Sequence, residues 1–150
     1  MRLFTPIALM HRLAFAILLL GFWSAPVRAH SDEYFAMHPT PHGGQMRMAG
    51  PYHLELLVSK DVLTLYVTDH SGNNVDTTGG SAKVIITSGK KKRYVVILSA
   101  AGDNALRGGG EFKLGKSNTA SVLVALPGQE PQRAKFTLSG KAPKKSHKHH

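Results

Sequence analysis

Cysteine is absent from the 150-residue sequence, so the chain has neither disulfides nor thiolates with which to hold itself or a metal. Acidic residues are scarce, nine against nineteen lysines and arginines, which leaves a formal charge of +10. The lysines have no aromatic residues interleaved among them for stacking bases, and this argues against nucleic acid as a partner. No motif sets a nucleophile beside a base. Asp69, His70 and Ser71 are consecutive, and consecutive side chains diverge rather than converge as a catalytic triad must. The sequence therefore reads as a non-enzyme. A spacing match to a phosphate-binding loop, Gly110 and then Gly115-Lys116-Ser117, has the wrong context. The stretch 111–114 reads as a strand, and Ser117 leads through Asn118 into another strand instead of a helix.

What is present begins with a leader. Arg2 and Arg12 flank an apolar run at 13–23, too short for the roughly 20 residues of a bilayer span, and small residues follow at Ser24, Ala25 and Ala29. The pattern predicts a signal peptide over 1–29 and an exported, periplasmic protein; a membrane anchor is the competing reading. Cleavage after Ala29 makes His30 the mature N-terminus, whose α-amino group and imidazole together can chelate Cu(II). A histidine that merely follows the cut is the plain alternative. Three arginines leave with the leader, so the mature chain keeps a charge of about +7. Much of it sits in Lys90-Lys91-Lys92-Arg93, read as a charged hairpin turn, and in the tail 141–150, read as disordered. His147, His149 and His150 in that tail can hold Ni(II), Zn(II) or Cu(II) loosely, or be simply solvated.

From Tyr52 the chain alternates with period two. Leu54, Leu56 and Val58 share one face of a strand while His53, Glu55 and Leu57 share the other, and Leu63, Leu65 and Val67 repeat the pattern after a turn at Ser59-Lys60-Asp61. Further strands are expected at 84–87, 94–99, 111–114, 120–126 and 134–139, with no helical period after residue 52. The expectation is an all-β domain over 52–140. It takes the form of an antiparallel immunoglobulin-like β-sandwich of about seven strands, with Greek-key connections or else a small barrel. The preceding segment, 30–51, is rich in proline and glycine and reads as an irregular arm.

The arm carries Met37, Met46 and Met48 within twelve residues, interleaved with His38 and His42, whereas the β domain has no methionine. Thioether and imidazole together suit Cu(I); the alternative is that the methionines pack on a sheet edge. His53 and Glu55 share an outer face about 7 Å apart and can converge on one ion, or stand as a solvated pair. An arm folded over that face brings His42, Met46 or Met48 to the same ion, and metal binding then orders the arm. His70 lies in the loop after the second strand, either as a further ligand or as plain surface. The candidate ligands are thus His30, His38, His42, Met46, Met48, His53, Glu55 and His70. Copper, as Cu(I) or Cu(II), is the preferred ion, with zinc or nickel as alternatives.

At His42-Gly43-Gly44, Gly50-Pro51-Tyr52-His53-Leu54-Glu55-Leu56 and Leu65-Tyr66-Val67-Thr68-Asp69-His70 the chain resembles small exported proteins associated with proteobacterial heavy-metal and copper resistance. The likeness runs on through Leu126-Pro127-Gly128 to the last strand. A similar His-Gly-Gly lead into a β module occurs near the start of some periplasmic adaptor subunits of metal-efflux pumps. The resemblance implies that His42, His53 and His70 are the residues of interest and that the partner is a periplasmic efflux component. The expectation is a copper carrier that buffers the ion or delivers it. The rival is a structural or adaptor β module whose Lys90 to Arg93 loop docks on an envelope protein.

Overall fold

The computed structural model describes residues 38–89 and 92–138; the expected leader over 1–29, His30, Met37, Lys90 and Lys91 of the expected basic turn, and residues 139–150 lie outside the described residues. The described residues form eight strands: β1 (Gln45–Ala49), β2 (Tyr52–Ser59), β3 (Val62–Asp69), β4 (Ser81–Ser88), β5 (Lys92–Ala100), β6 (Ala105–Gly109), β7 (Asn118–Ala125) and β8 (Gln132–Leu138). Every pairing is antiparallel, and the strands form one sheet in the order β1-β2-β3-β6-β5-β4-β7-β8. The chain is thus all-β among the described residues, with no helix and so none long and apolar enough to cross a membrane. β7 returns past β5 and β6 to lie beside β4, which is a Greek-key connection.

Alternation decides which side of the sheet is buried. Leu54 and Leu56 on β2, Leu63, Leu65 and Val67 on β3, Val84 and Ile86 on β4, Val96 and Leu98 on β5, and Val122 and Val124 on β7 all turn inward and are essentially inaccessible. Phe136 on β8 fills the same interior. These inward positions are β-branched, leucine or aromatic, the side chains that pack well on a pleated surface. Burying them is what holds the sheet curled.

Curling brings the two edge strands, β1 and β8, together without a backbone ladder between them. The seam is closed by a side chain. The Gln45 amide donates to the Thr137 carbonyl oxygen at 2.7 Å, and its oxygen accepts from the Thr137 N–H at 3.0 Å. One glutamine thereby reproduces the pair of bonds a neighbouring strand would make, and the Arg47 guanidinium lies 5.9 Å from the Phe136 ring across the same seam.

Three expectations change. The domain is one nearly closed sheet of eight strands, where two packed sheets of about seven were expected. The arm is not irregular throughout: its last residues form β1, joined to β2 by the two-residue turn Gly50-Pro51 with Gly50 at φ 56°. A glycine at the first central position followed by proline fits a tight hairpin turn, and the short strand hides behind that punctuation. The fifth expected strand, 111–114, has no ladder partner. Its place is taken by β6, whose glycines disguise it as a loop. Gly108 is required there because a Cβ would collide with the carbonyl oxygen of Ile97 on β5. Phe112 and Leu114 instead pack against the core from an irregular segment. The phosphate-loop match is again without its helix, since Ser117 runs straight into β7.

Replacing Gln45 with leucine removes both seam bonds and should lower unfolding free energy by about 1–2 kcal/mol in a denaturant titration. The Thr137 amide should lose its protection from hydrogen exchange while amides of β4 keep theirs.

Candidate metal centre

The outward face of β1, β2 and β3 is built by two rows. Register places Met46 opposite Glu55 and Glu55 opposite Tyr66; one row along, Met48 is opposite His53 and His53 opposite Thr68. Directly opposed side chains stand about 4.5–5.5 Å apart at Cβ, and the two rows are about 7 Å apart along the strands. Both thioethers, a histidine and a carboxylate thus share one surface because each sits at an outward position of its strand.

Over the first row lies the His-Gly-Gly segment. Thr40-Pro41-His42-Gly43 forms a turn closed by the Gly43 N–H on the Thr40 carbonyl oxygen at 3.3 Å, with Gly43 at φ 77°. The chain then passes so close to β2 that a Cβ on Gly44 would lie 2.7 Å from the carbonyl oxygen of Leu56 and 3.0 Å from Cγ of Glu55. Glycine is what lets backbone lie on backbone at this point.

That close approach buries Glu55, an outward-facing acid that is only 2 % exposed. Oε1 accepts the main-chain N–H groups of His42 at 3.0 Å and Gly44 at 2.9 Å, and Oε2 is 2.8 Å from Nδ1 of His42. Burial pushes the carboxyl upward. The hydrogen bonds from the side chains of His42 and Thr40 and from the two main-chain N–H groups outweigh it and hold Glu55 below the ordinary glutamate range. Glu55 is therefore a carboxylate, it can only accept, and Nδ1 of His42 must be the donor. In the neutral ring this leaves Nε2 of His42 with its lone pair. The ring lies flat on Tyr66, with centroids 3.6 Å apart and planes 5° from parallel, and its side chain is 38 % exposed.

At the second row His70 stacks on His53, centroids 4.9 Å apart and planes 12° from parallel. Nε2 of His70 lies 3.0 Å from the Gly50 carbonyl oxygen. A carbonyl cannot donate, so Nε2 carries the proton and Nδ1 keeps its lone pair in the neutral ring. Asp69 fixes the loop that delivers His70. Its carboxylate accepts from the Ser71 and Asn73 main chains at 2.8 and 2.9 Å and from the Asn73 side chain at 2.9 Å. The Asn73 side chain first, then the main-chain donors, hold Asp69 below its ordinary value.

Of the eight candidate ligands, then, His42, Met46, Met48, His53, Glu55 and His70 share one face. His38 is exposed at the start of the described chain, and His30 lies outside the described residues. Glu55 differs from its expected role, since its carboxylate takes three donors from the His42-Gly44 segment and orients an imidazole. Among the described residues no group of three or more His, Cys, Asp or Glu is placed to hold a metal ion. The sequence reading did not single out Tyr66, the platform for His42, although an aromatic at an outward position of β3 was the available signal. No protein-family model, curated protein or solved structure matches the chain, and nothing in these comparisons ties it to metal-resistance proteins.

The Glu55 contribution to stability has a definite sign with pH. Its folded-state pKa is lowered, so the stabilisation is complete above the unfolded value of about 4.3 and is lost as pH falls through the lower folded value. Wild type should exceed Glu55→Gln by about 1–3 kcal/mol near neutrality. The gap should close on acidification below pH about 4, as read from urea midpoints across a pH series. A gap independent of pH would show that the ionised carboxylate is not what holds the segment down.

Proposed function

We propose that the protein is an exported, periplasmic copper-binding protein that buffers the ion or passes it to an efflux or resistance component. The observation that carries this reading is the shared outer face of β1 to β3, where two thioethers stand beside three imidazoles, two of them with their tautomers set. A buried carboxylate behind His42 is the outer-shell partner that metal-ligating histidines commonly have, raising the basicity of the free nitrogen and fixing the ring. The two methionines opposite Glu55 and His53 are the natural completing ligands. That favours Cu(I) over zinc or nickel, whose protein sites draw on imidazole, carboxylate or thiolate. His42, Met46, Met48, His53 and His70 would supply donor atoms and Glu55 would position one of them. Exposure at His42 and His70 suits ligand exchange with a partner. Export rests on the leader pattern at 1–29, and the efflux partner on the resemblance at the His-Gly-Gly segment.

Competitive Cu(I) titration of the exported protein tests the reading. Glu55→Gln should weaken binding by about 10–100-fold, and Met46→Leu with Met48→Leu together should weaken it further, while a chain stopped after Gly140 should bind as tightly as the whole. Unchanged Cu(I) affinity in the double methionine variant would remove the thioethers from the site. Binding that disappears with the tail alone would remove the site itself.

A further inference from the structure

The four strands β4, β5, β7 and β8 contain no aspartate or glutamate at all. Their outward positions instead combine cations with large apolar side chains in register. One row runs Ile97, Lys83, Leu123, Arg133 across β5, β4, β7 and β8; the next runs Val95, Ile85, Ser121, Lys135. Arg93 stands at the end of the same face, opposite Thr87. Val95 and Ile97 are each 58 % exposed, the exposed large hydrophobic residues of the described chain, and they are two apart on one strand and so adjacent on one surface. Between β4, β7 and β8 the surface sinks into a shallow depression rimmed by Lys83, Arg133 and Lys135.

We propose that this face docks the protein on an anionic lipid surface. The chemistry matches in both of its parts. Lys83, Arg93, Arg133 and Lys135 meet lipid phosphates, and Val95 and Ile97, with the partly covered Ile85 and Leu123 beside them, enter the boundary between headgroup and acyl chain. A small soluble anion would account for the cations and leave the exposed valine and isoleucine unexplained. A second copy docked face to face would set four cations against four with no acid on either side. The surface does not use the His/Met face, and the inference does not depend on copper binding.

Sedimentation with vesicles tests it, using the exported protein as the cell processes it. Vesicles are made of phosphatidylglycerol and phosphatidylcholine in equal parts, or of phosphatidylcholine alone. The wild type should bind the mixed vesicles, release them as salt is raised, and largely ignore the neutral ones. At roughly fivefold per cation, Lys83→Gln, Arg133→Gln and Lys135→Gln together should weaken partition on the order of a hundredfold. Val95→Ser with Ile97→Ser should weaken it several-fold with the charge intact. Both sets of positions face outward, so the thermal midpoints should stay at the wild-type value. A third variant, with the tail residues Lys141, Lys144, Lys145 and Lys148 changed to glutamine, separates the face from the tail. If that variant loses binding while the face variants keep it, the proposal is overturned. It is overturned equally if the wild type ignores anionic vesicles, or binds an acidic protein through these cations instead.

Discussion

A carboxylate at an outward position of a strand, buried because a turn of chain is laid over it, organises the half of the sheet made by β1 to β3. Glu55 accepts three hydrogen bonds from two residues, His42 and Gly44, of the three-residue segment laid over it. A charge taken out of water is tolerated only when its lone pairs are met, and here the donors come from the segment that does the covering. The consequences propagate in order. Gly44 must lack a Cβ for the chain to come so near, His42 is fixed in tautomer and pressed against Tyr66, and the chain leaves the turn aligned to begin β1.

β1 in turn completes the curvature of the sheet. Without it the inward face of β2 and the open edge of β8 would both meet water, and Leu54, Leu56 and Phe136 would lose part of their cover. The Gln45 side chain then does for the seam what a ladder does elsewhere. The last residues of the arm are therefore part of the sheet, bound to it by the β1–β2 ladder, by one buried acid on the outside, by Ala49 in the core and by one amide at the edge. Anything that loosens the Glu55 contact also loosens the element that carries Met46 and Met48.

Much of this was legible in the chain because it follows from period two. The assignment of Leu54 and Leu56 inward and His53 and Glu55 outward needed only alternation, and the hairpin of β2 and β3 needed only the Ser59-Lys60-Asp61 turn. The misses have physical causes. β1 is five residues long behind a Gly-Pro turn, and its inward set, Gln45, Arg47 and Ala49, is not the apolar set that alternation looks for. β6 carries Gly108 for the sake of a neighbouring carbonyl, and glycine in a short run argues for a loop until the neighbour is known. The stretch 111–114 has the alternation of a strand but reaches the core without a partner, since Phe112 and Leu114 can bury themselves from irregular backbone. At the site, the shared outer face of His53 and Glu55 follows from alternation, and an arm folded over it was expected to bring His42, Met46 or Met48 there; the stacking of His70 on His53 and the division of labour were not expected. Whether an acid faces a metal or an imidazole depends on a close approach of backbone that spacing does not express.

Charge is also partitioned around the sheet. The outward positions of β1, β2 and β3 carry methionine, histidine, threonine, tyrosine, Leu57, Val62 and the hydrogen-bonded carboxylate of Glu55, with no lysine or arginine among them. Most outward cations gather on β4, β5, β7 and β8, with Arg107 on β6 opposite Thr64. In the strand order β4 lies half a circuit from β2, whereas β8, with Arg133 and Lys135, adjoins β1 across the seam. A cation seeking imidazole and thioether donors is repelled by nearby lysines, with a range of about 8–10 Å at ordinary ionic strength. Lys83, on β4 and half a circuit from β2, stands clear of that penalty without giving up its charge. The same separation has a geometric result: a protein resting on anionic lipid through β4 and its neighbours turns β2, and with it the His/Met face, toward the aqueous side, where an ion and a partner can reach it.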